Sequence, residues 1–428
     1  MAKRRDTTVC LLPHCGYLSE TSRMLAIRRA LLERGASVCL ATHGGTHERL
    51  LKQLGVSYDI VGPRMDDQRS RRLVQDGPGI GRPGQSMWSD EEIRQYVRAE
   101  ADYFRDHRVA IAVTGFTLTA LLSTRLAGIP LACEHAGAFV PPMWERSRMQ
   151  TPLVSPLPFT GWLPAPVRRW LTNLGTNRTA IHCSGFNRIA NELGVEGVPS
   201  FAQLLLGDVT IVTEIPEVLG VSAAELEAWR PTRPGYRPST RLYAGGPIFA
   251  QLDLPVPDRV DAFLSRGGPV IYVAITSTHG DAVRAVVQAL RPIGARILVA
   301  GTVHELPDLA SPNVMVAGVL PSHLIMPRID VAVTAGGQGS VQCAMASGTP
   351  VVALPLHPEQ DLNASLVESI GAGHRLRFAD ADSGRLAGCV RRMLDQPTYR
   401  DAARRIQSEY ASVDGPGLAA DAILRAVA

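Results

Sequence analysis

The sequence predicts an α/β protein built as two domains in series, and three observations carry that expectation. Short apolar runs alternate with helix-length amphipathic stretches from residue 8 onward, and the same alternation begins again near residue 270. Between the two series, residues 229–257 shift to a Pro-, Arg- and Gly-rich composition that suits a connection between domains. The chain has 428 residues, too many for one ordinary core and enough for two. The expected boundaries are 1–235 for the first domain, 236–257 for the linker and 258–428 for the second. The last helices are free to pack back on the first domain.

Each element follows from its pattern. Thr8 to Leu12 form a short apolar strand, and a loop occupies 13–20. Residues 21–33 place Met24, Leu25, Ile27, Ala30 and Leu31 on a broad apolar helical face, with Gly35 suited to the C-terminal cap. Residues 37–42 form the next strand, so this strand–helix–strand unit implies a parallel sheet with a right-handed crossover. Strands are expected again at 110–114 and 129–133, with a helix at 118–127. The polar, Gly- and Arg-rich stretch 66–87 is expected to be a mobile loop. In the second half, strands are expected at 270–275, 295–300, 314–316, 331–333 and 351–354, with a helix at 281–290. Such domains bind ligands beyond the C-terminal ends of their strands, which here implies a two-lobed molecule with a central cleft.

Composition narrows the function classes. Hydrophobic residues make up 45% and charged residues 20%, which fits an ordered globular chain. The net charge of +4 is small, and Lys3 and Lys52 are the only lysines. No dense basic run with interleaved aromatics appears, so nucleic acid is not an expected partner; the cluster Arg69, Arg71 and Arg72 suits a solvated loop. The seven cysteines are scattered and mostly sit in apolar runs, without disulfide or C-x-x-C metal spacing. Reduced core cysteines and a cytoplasmic location are expected. No stretch approaches the ~20 apolar residues of a membrane-spanning helix, and the apolar run after the charged residues 1–8 is short for a signal peptide.

The segment that carries chemistry runs from residue 320 to 364. Thr334-Ala335-Gly336-Gly337-Gln338-Gly339-Ser340 joins a strand to an apolar helix. Glycines let the backbone approach a ligand, and a helix start offers N–H groups and a positive dipole end, so a diphosphate is the natural occupant. Close packing explains such a turn equally well when it stands alone. Here Pro321, Gly348-Thr349-Pro350, Pro355, Glu359-Gln360 and Asn363-Ala364 lie in register around it. Together these residues resemble the donor-binding signature of the family 1 nucleotide-sugar glycosyltransferases. Thr276-Ser277-Thr278 resembles the family's other phosphate-contacting turn, and Tyr243-Ala244-Gly245-Gly246-Pro247 its linker.

The resemblance implies the GT-B architecture, two Rossmann-like domains facing a central cleft, and an inverting, metal-independent hexosyl transfer. It implies donor contacts at Ser277, Thr278, Leu320, Gly336, Gly337, Gln338, Gly339, Ser340, Glu359 and Gln360. The expected carrier is UDP first, with dTDP and GDP as alternatives; no other cofactor and no metal is expected. No Asp-x-Asp motif with downstream metal ligands supports a divalent-ion site. The signature is also altered. Ala335 stands where the family has a His on the diphosphate, Cys343 where it has the ribose-binding Glu, Val319 at the base-stacking aromatic and Ser322 at the neighbouring Gln.

On the acceptor side, an inverting enzyme needs a base for the attacking group. The family's His falls at Tyr17, beside Gly16, and its partner Asp at Thr114. The candidates that remain are His14 first, His135 next and Glu20 third, all near strand C-termini. The acceptor pocket is expected to draw on 13–20, 134–144 and the Pro-rich 153–166. A small, partly apolar natural-product acceptor is expected, and a homodimer is left open. Two other readings stay open: a sugar-nucleotide epimerase, which shares this architecture, and a non-catalytic auxiliary protein, motivated by the lost signature residues.

Overall fold

The computed structural model describes residues 8–76, 87–145, 151–154, 162–180, 183–232, 235–249, 251, 254–275, 278, 280–301, 306–381 and 384–428. The chain divides into two compact units. The first comprises Met1–Arg148, Arg169–Ala250 and Asp414–Ala428, and the second Met149–Arg168 and Gln251–Val413. The chain therefore leaves and re-enters the first unit twice.

The first unit carries seven parallel strands: β1 (Thr8–Leu11), β2 (Ser37–Gly44), β3 (Asp59–Met65), β4 (Val109–Thr114), β5 (Leu131–His135), β6 (Val209–Val212) and β7 (Arg241–Ala244). Their spatial order is β3-β2-β1-β4-β5-β6-β7. Strands buried on both faces need apolar runs rather than alternation, and TVCL, VAIAVT and VTIV supply them. On one face the helix Leu18–Glu33 packs Met24, Ile27 and Leu31 on Val9, Leu11, Ile111 and Val113. The C-terminal helix Gly415–Arg425 joins that same cluster through Ala419, Ala420, Ala422 and Ile423. On the other face the helix Asp90–Asp106, opened by a Ser89–Glu92 capping box, packs Ile93, Val97 and Phe104.

The second unit repeats the plan with six parallel strands: β8 (Val270–Ala274), β9 (Arg296–Ala300), β10 (Val314–Ala317), β11 (Val331–Thr334), β12 (Val351–Ala353) and β13 (Gly373–Arg375). Their order is β10-β9-β8-β11-β12-β13. Both sheets reverse their strand order beside their first strand, between β1 and β4 and between β8 and β11. This is the doubly wound Rossmann arrangement, and it opens a crevice at each reversal. The α/β class and the two Rossmann-like units match the expectation.

Several local expectations are corrected. The first helix begins at Leu18, so Glu20 lies in its first turn and not in the preceding loop. Within the expected mobile loop 66–87, Asp67–Asp76 is helical, because Ser70 and Leu73 are buried on one side of it; residues 77–86 lie outside the described residues. The expected linker 236–257 contains β7, which pairs with β6 along Val209 to Val212. Strand β5 extends through His135, which brings Glu134 and His135 into the sheet itself.

Candidate functional site

In the second unit the reversal lies between β8 and β11, whose Ala274 and Thr334 are register partners. The chain leaves β11 through Ala335, buried in the core, into Gly336 at φ +87°. A Cβ on Gly336 would lie 2.7 Å from the Gln360 carbonyl oxygen, so only glycine fits between this turn and the helix Pro358–Ser369. The Thr334 hydroxyl accepts the Gly336 N–H at 3.0 Å and tightens the turn. Gly337 then serves as N-cap of the helix Gln338–Ala346, with extended backbone and no side-chain cap. A Cβ built there meets nothing within 4 Å. Residues Gly337, Gln338, Gly339 and Ser340 are half-exposed, so this helix start is open to a ligand.

The neighbouring residues fall into two groups. Gln360 is buried, and its side-chain carbonyl accepts the Leu356 N–H at 2.9 Å, which shapes the β12 exit loop. Glu359 is half-buried and accepts from the Asn363 amide. Leu320 is buried. Thr278 is half-exposed beyond β8, whereas Ser277 lies outside the described residues. The Tyr272 hydroxyl is 3.0 Å from the Ser322 hydroxyl, an interior contact that sequence reasoning missed. Beneath the helix Pro358–Ser369, buried Asp361 pairs with Arg375 at 2.6 Å. Its other oxygen accepts the N–H groups of Leu153 (2.5 Å) and Val154 (3.0 Å). Leu153 and Val154, the start of the stretch 153–166 expected on the acceptor side, are thus anchored within the second unit; residues 155–161 lie outside the described residues.

In the first unit the reversal lies between β1 and β4. One oxygen of Glu20, Oε1, accepts three backbone N–H groups: His14 at 3.2 Å, Gly115 at 3.1 Å and Phe116 at 2.7 Å. Its carboxyl ties the loops after β1 and β4 together. One helical turn on, the Arg23 guanidinium lies 2.6 Å from Oε1 of Glu134 on β5. Burial raises the Glu20 pKa to about 8, so it is a neutral acid at pH 7. His14 and His135 are lowered to about 3 and about 4, also by burial, so both rings are neutral.

The tautomers separate the two histidines. Nδ1 of His14 accepts the Gly16 N–H at 3.2 Å, so the neutral ring carries its proton on Nε2. In this tautomer His14 presents an N–H toward its surroundings. His135 is the reverse: Nδ1 lies 2.7 Å from the Ala136 carbonyl and donates to it, leaving Nε2 with a bare lone pair. Successive residues of β5 point to opposite faces, so Glu134 meets Arg23 while His135 packs toward Phe139. Arg23 and the Glu134 pairing were missed from sequence; the available signal was an arginine three residues after Glu20 on the same helix.

Among the described residues, no group of three or more His, Cys, Asp or Glu could hold a metal ion. Asp380, of the triplet Asp380-Ala381-Asp382, is paired with Arg377 and Arg385. Among the described residues no helix is long and apolar enough to cross a membrane.

Comparison with known proteins bears on the fold. Residues 284–424 match the family model of the erythromycin biosynthesis protein CIII-like C-terminal domain. A PGL/p-HBAD biosynthesis glycosyltransferase of Mycobacterium tuberculosis is 26% identical over 331 residues, 76% of this chain and 73% of that protein. The 4'-demethylrebeccamycin synthase of Lentzea aerocolonigenes is 34% identical over 164 residues, 37% of this chain and 39% of that one. Among solved structures, the glycosyltransferase VinC in complex with dTDP aligns with a TM-score of 0.65 at 16% identity, over 98% of this chain and 99% of that one. The two doubly wound units share the GT-B fold of this solved structure, and the sequence relatives that the chain resembles are glycosyltransferases.

Proposed function

We propose that the chain moves a sugar from a nucleoside diphosphate sugar held by the second unit to a small, partly apolar acceptor held by the first. The transfer inverts the anomeric carbon, uses no metal ion and serves natural-product tailoring. One observation carries the donor half: the half-exposed turn at Gly337 opens a nine-residue helix at a strand-order reversal, with nothing within 4 Å of the position a side chain would take. Diphosphate oxygens suit that backbone, because N–H groups and the dipole end supply positive potential without a lysine or a cation. Glu359, Gln360, Thr278 and Ser277 are the proposed donor neighbours. Cys343 at the family's ribose-binding carboxylate favours a deoxyribose carrier. That moves dTDP, the nucleotide in the VinC structure, ahead of UDP and GDP.

Natural-product tailoring is supported by relatives such as 4'-demethylrebeccamycin synthase. On the acceptor side, the neutral acid Glu20, the donor His14 and the lone-pair-bearing His135 supply a polar surround for an attacking hydroxyl. The test is a thermal-shift titration with dTDP, UDP, GDP and ADP, since a ligand that the native state binds raises its melting temperature. Stabilisation by dTDP and UDP is expected. No shift with any nucleotide overturns the reading in favour of an auxiliary protein, and conversion of the sugar nucleotide to an isomer without acceptor favours an epimerase.

A further inference from the structure

The transferase reading leaves open what the first unit grips, and the reversal between β1 and β4 bears on that. Glu20 and Glu134 meet beside Gly115: a Cβ built on Gly115 would lie 2.7 Å from Oε1 of Glu134 and 3.2 Å from Cδ of Glu20. Each carboxyl uses one oxygen only. Oε1 of Glu20 is occupied by three backbone N–H groups, and Oε1 of Glu134 by Arg23. The Oε2 atoms of both are buried and have no hydrogen-bond partner, and the same holds for Nε2 of His14. The three residues are 2%, 3% and 4% exposed, respectively, so solvent does not satisfy these atoms. A single hydroxyl seated between the two Oε2 atoms would remove the deficit of both carboxyl groups, accepting from the acid and donating to the carboxylate.

The same turn carries an aromatic edge. The half-exposed rings of Tyr17 and Phe116 lie 5.2 Å apart at 77°, and the His14 ring is 5.5 Å and 6.2 Å from them. Phe116 belongs to both features, since its own N–H binds Glu20. Arg23 is paired with Glu134, and burial favours the protonated form of Glu20.

We propose that Glu20 and Glu134 bind the attacking hydroxyl of a phenolic acceptor, Glu20 donating to it and Glu134 accepting from it, with its ring against Tyr17 and Phe116. This proposal rests on the transferase reading above. In transfer, the phenolic oxygen forms its bond to C1 of the sugar as the bond from C1 to the diphosphate oxygen breaks. The electron pair of that bond leaves with the nucleoside diphosphate, and the phenolic proton passes to Oε2 of Glu134.

The test uses calorimetric titration of the full chain with 2-naphthol and 2-methoxynaphthalene, which differ only in the hydroxyl hydrogen and a methyl group. Wild type is expected to bind 2-naphthol at least about 10-fold more tightly. Glu134→Gln keeps its carbonyl on Arg23 but turns an N–H toward the ligand, and should weaken 2-naphthol by about 10- to 100-fold. Glu20→Gln keeps both the carbonyl for the three N–H groups and a donor for the ligand, so its affinity should stay within about threefold. The groups facing Glu20 are Arg23 on its helix, Glu134 and Cys133 on β5, and His14 and Cys15 after β1. Deprotonation of Glu20 near pH 8 should therefore weaken 2-naphthol in wild type and not in Glu20→Gln.

Equal binding of the two naphthalenes, as a trapped water in the gap would give, overturns the proposal. So does an undiminished preference in Glu134→Gln, or no binding of 2-naphthol at millimolar concentration. Nucleotide stabilisation of the same samples reports folding and separates the two readings. If nucleotides stabilise the chain but no hydroxyl preference appears, only this proposal fails; if nucleotides do not stabilise it, the transferase reading fails.

Discussion

Gly337→Val places two methyl groups where a diphosphate is expected to approach the backbone. The native backbone there is extended, at φ −62° and ψ 145°, which valine adopts without strain, and a Cβ meets nothing within 4 Å. The substitution should therefore cost less than about 1 kcal/mol in folding, since glycine is only a moderate N-cap. Binding is a different matter. Losing one or two charge-assisted N–H contacts costs about 1.5–3 kcal/mol, a 10- to 150-fold rise in Kd. At a dTDP concentration about 100 times the wild-type Kd, ligand stabilisation is about 2.7 kcal/mol, and a 30-fold weaker variant retains about 0.9 kcal/mol. For a unit of this size, that contrast is a Tm rise of about 5–10 °C against about 2–3 °C. Differential scanning fluorimetry with and without dTDP reads it directly. A folded Gly337→Val protein with undiminished dTDP stabilisation would remove the turn from the donor site.

The adjacent glycine should behave in the opposite way. Gly336→Ala forces a Cβ at φ +87° to within 2.7 Å of the Gln360 carbonyl, so about 2–4 kcal/mol of stability should be lost without ligand; an unchanged urea midpoint would refute this. Asp361→Asn removes one of two carboxylates paired with Arg375, which keeps Glu368 at 2.8 Å, and should lower stability by about 1–3 kcal/mol, with faster proteolysis near Leu153 as the local readout. The pH profile divides by sign. Neutral His14 and His135 stabilise the native state above pH 6.5, and that contribution is lost as pH falls toward about 3 and about 4. Glu20 contributes stability that is complete below pH 4.5 and lost as pH rises through about 8. Urea midpoints between pH 4 and 9 should therefore flatten on the acid side in His135→Gln, by roughly 1.4 kcal/mol per pH unit, and on the alkaline side in Glu20→Gln.

The legible part of the fold was the part whose chemistry is local. Val270–Ala274 and Val331–Thr334 read as strands because parallel strands buried on both faces require uninterrupted apolar runs. Arg241–Ala244 and Gly373–Arg375 did not, because short edge strands carry charged residues and are held by neighbours rather than by pattern. The glycine turn was legible because Gly336 must adopt positive φ against a nearby carbonyl. The first-unit pocket was only half legible. His14, Glu20 and His135 were visible as titratable groups near strand ends. Which of them donates and which accepts depends on Gly16, Ala136 and Arg23, whose placement arises only from tertiary structure. Local order did not reveal the Asp361 anchor for residues 151–154 either, since its partners are about two hundred residues apart in sequence.

The return of Gly415–Arg425 to the first unit has a consequence for synthesis. Ala419, Ala420 and Ile423 belong to the same apolar cluster as Val9 and Leu11, and Arg34 is paired with Asp421 at 2.6 Å. These residues follow the whole second unit in the chain, so the layer on β1 is closed only after that unit has been made. Until then the cluster of Met24, Ile27 and Leu31 lacks the part of its cover that Ala419, Ala420 and Ile423 supply. A truncation after Val413 would thus uncover a layer about four hundred residues away in sequence.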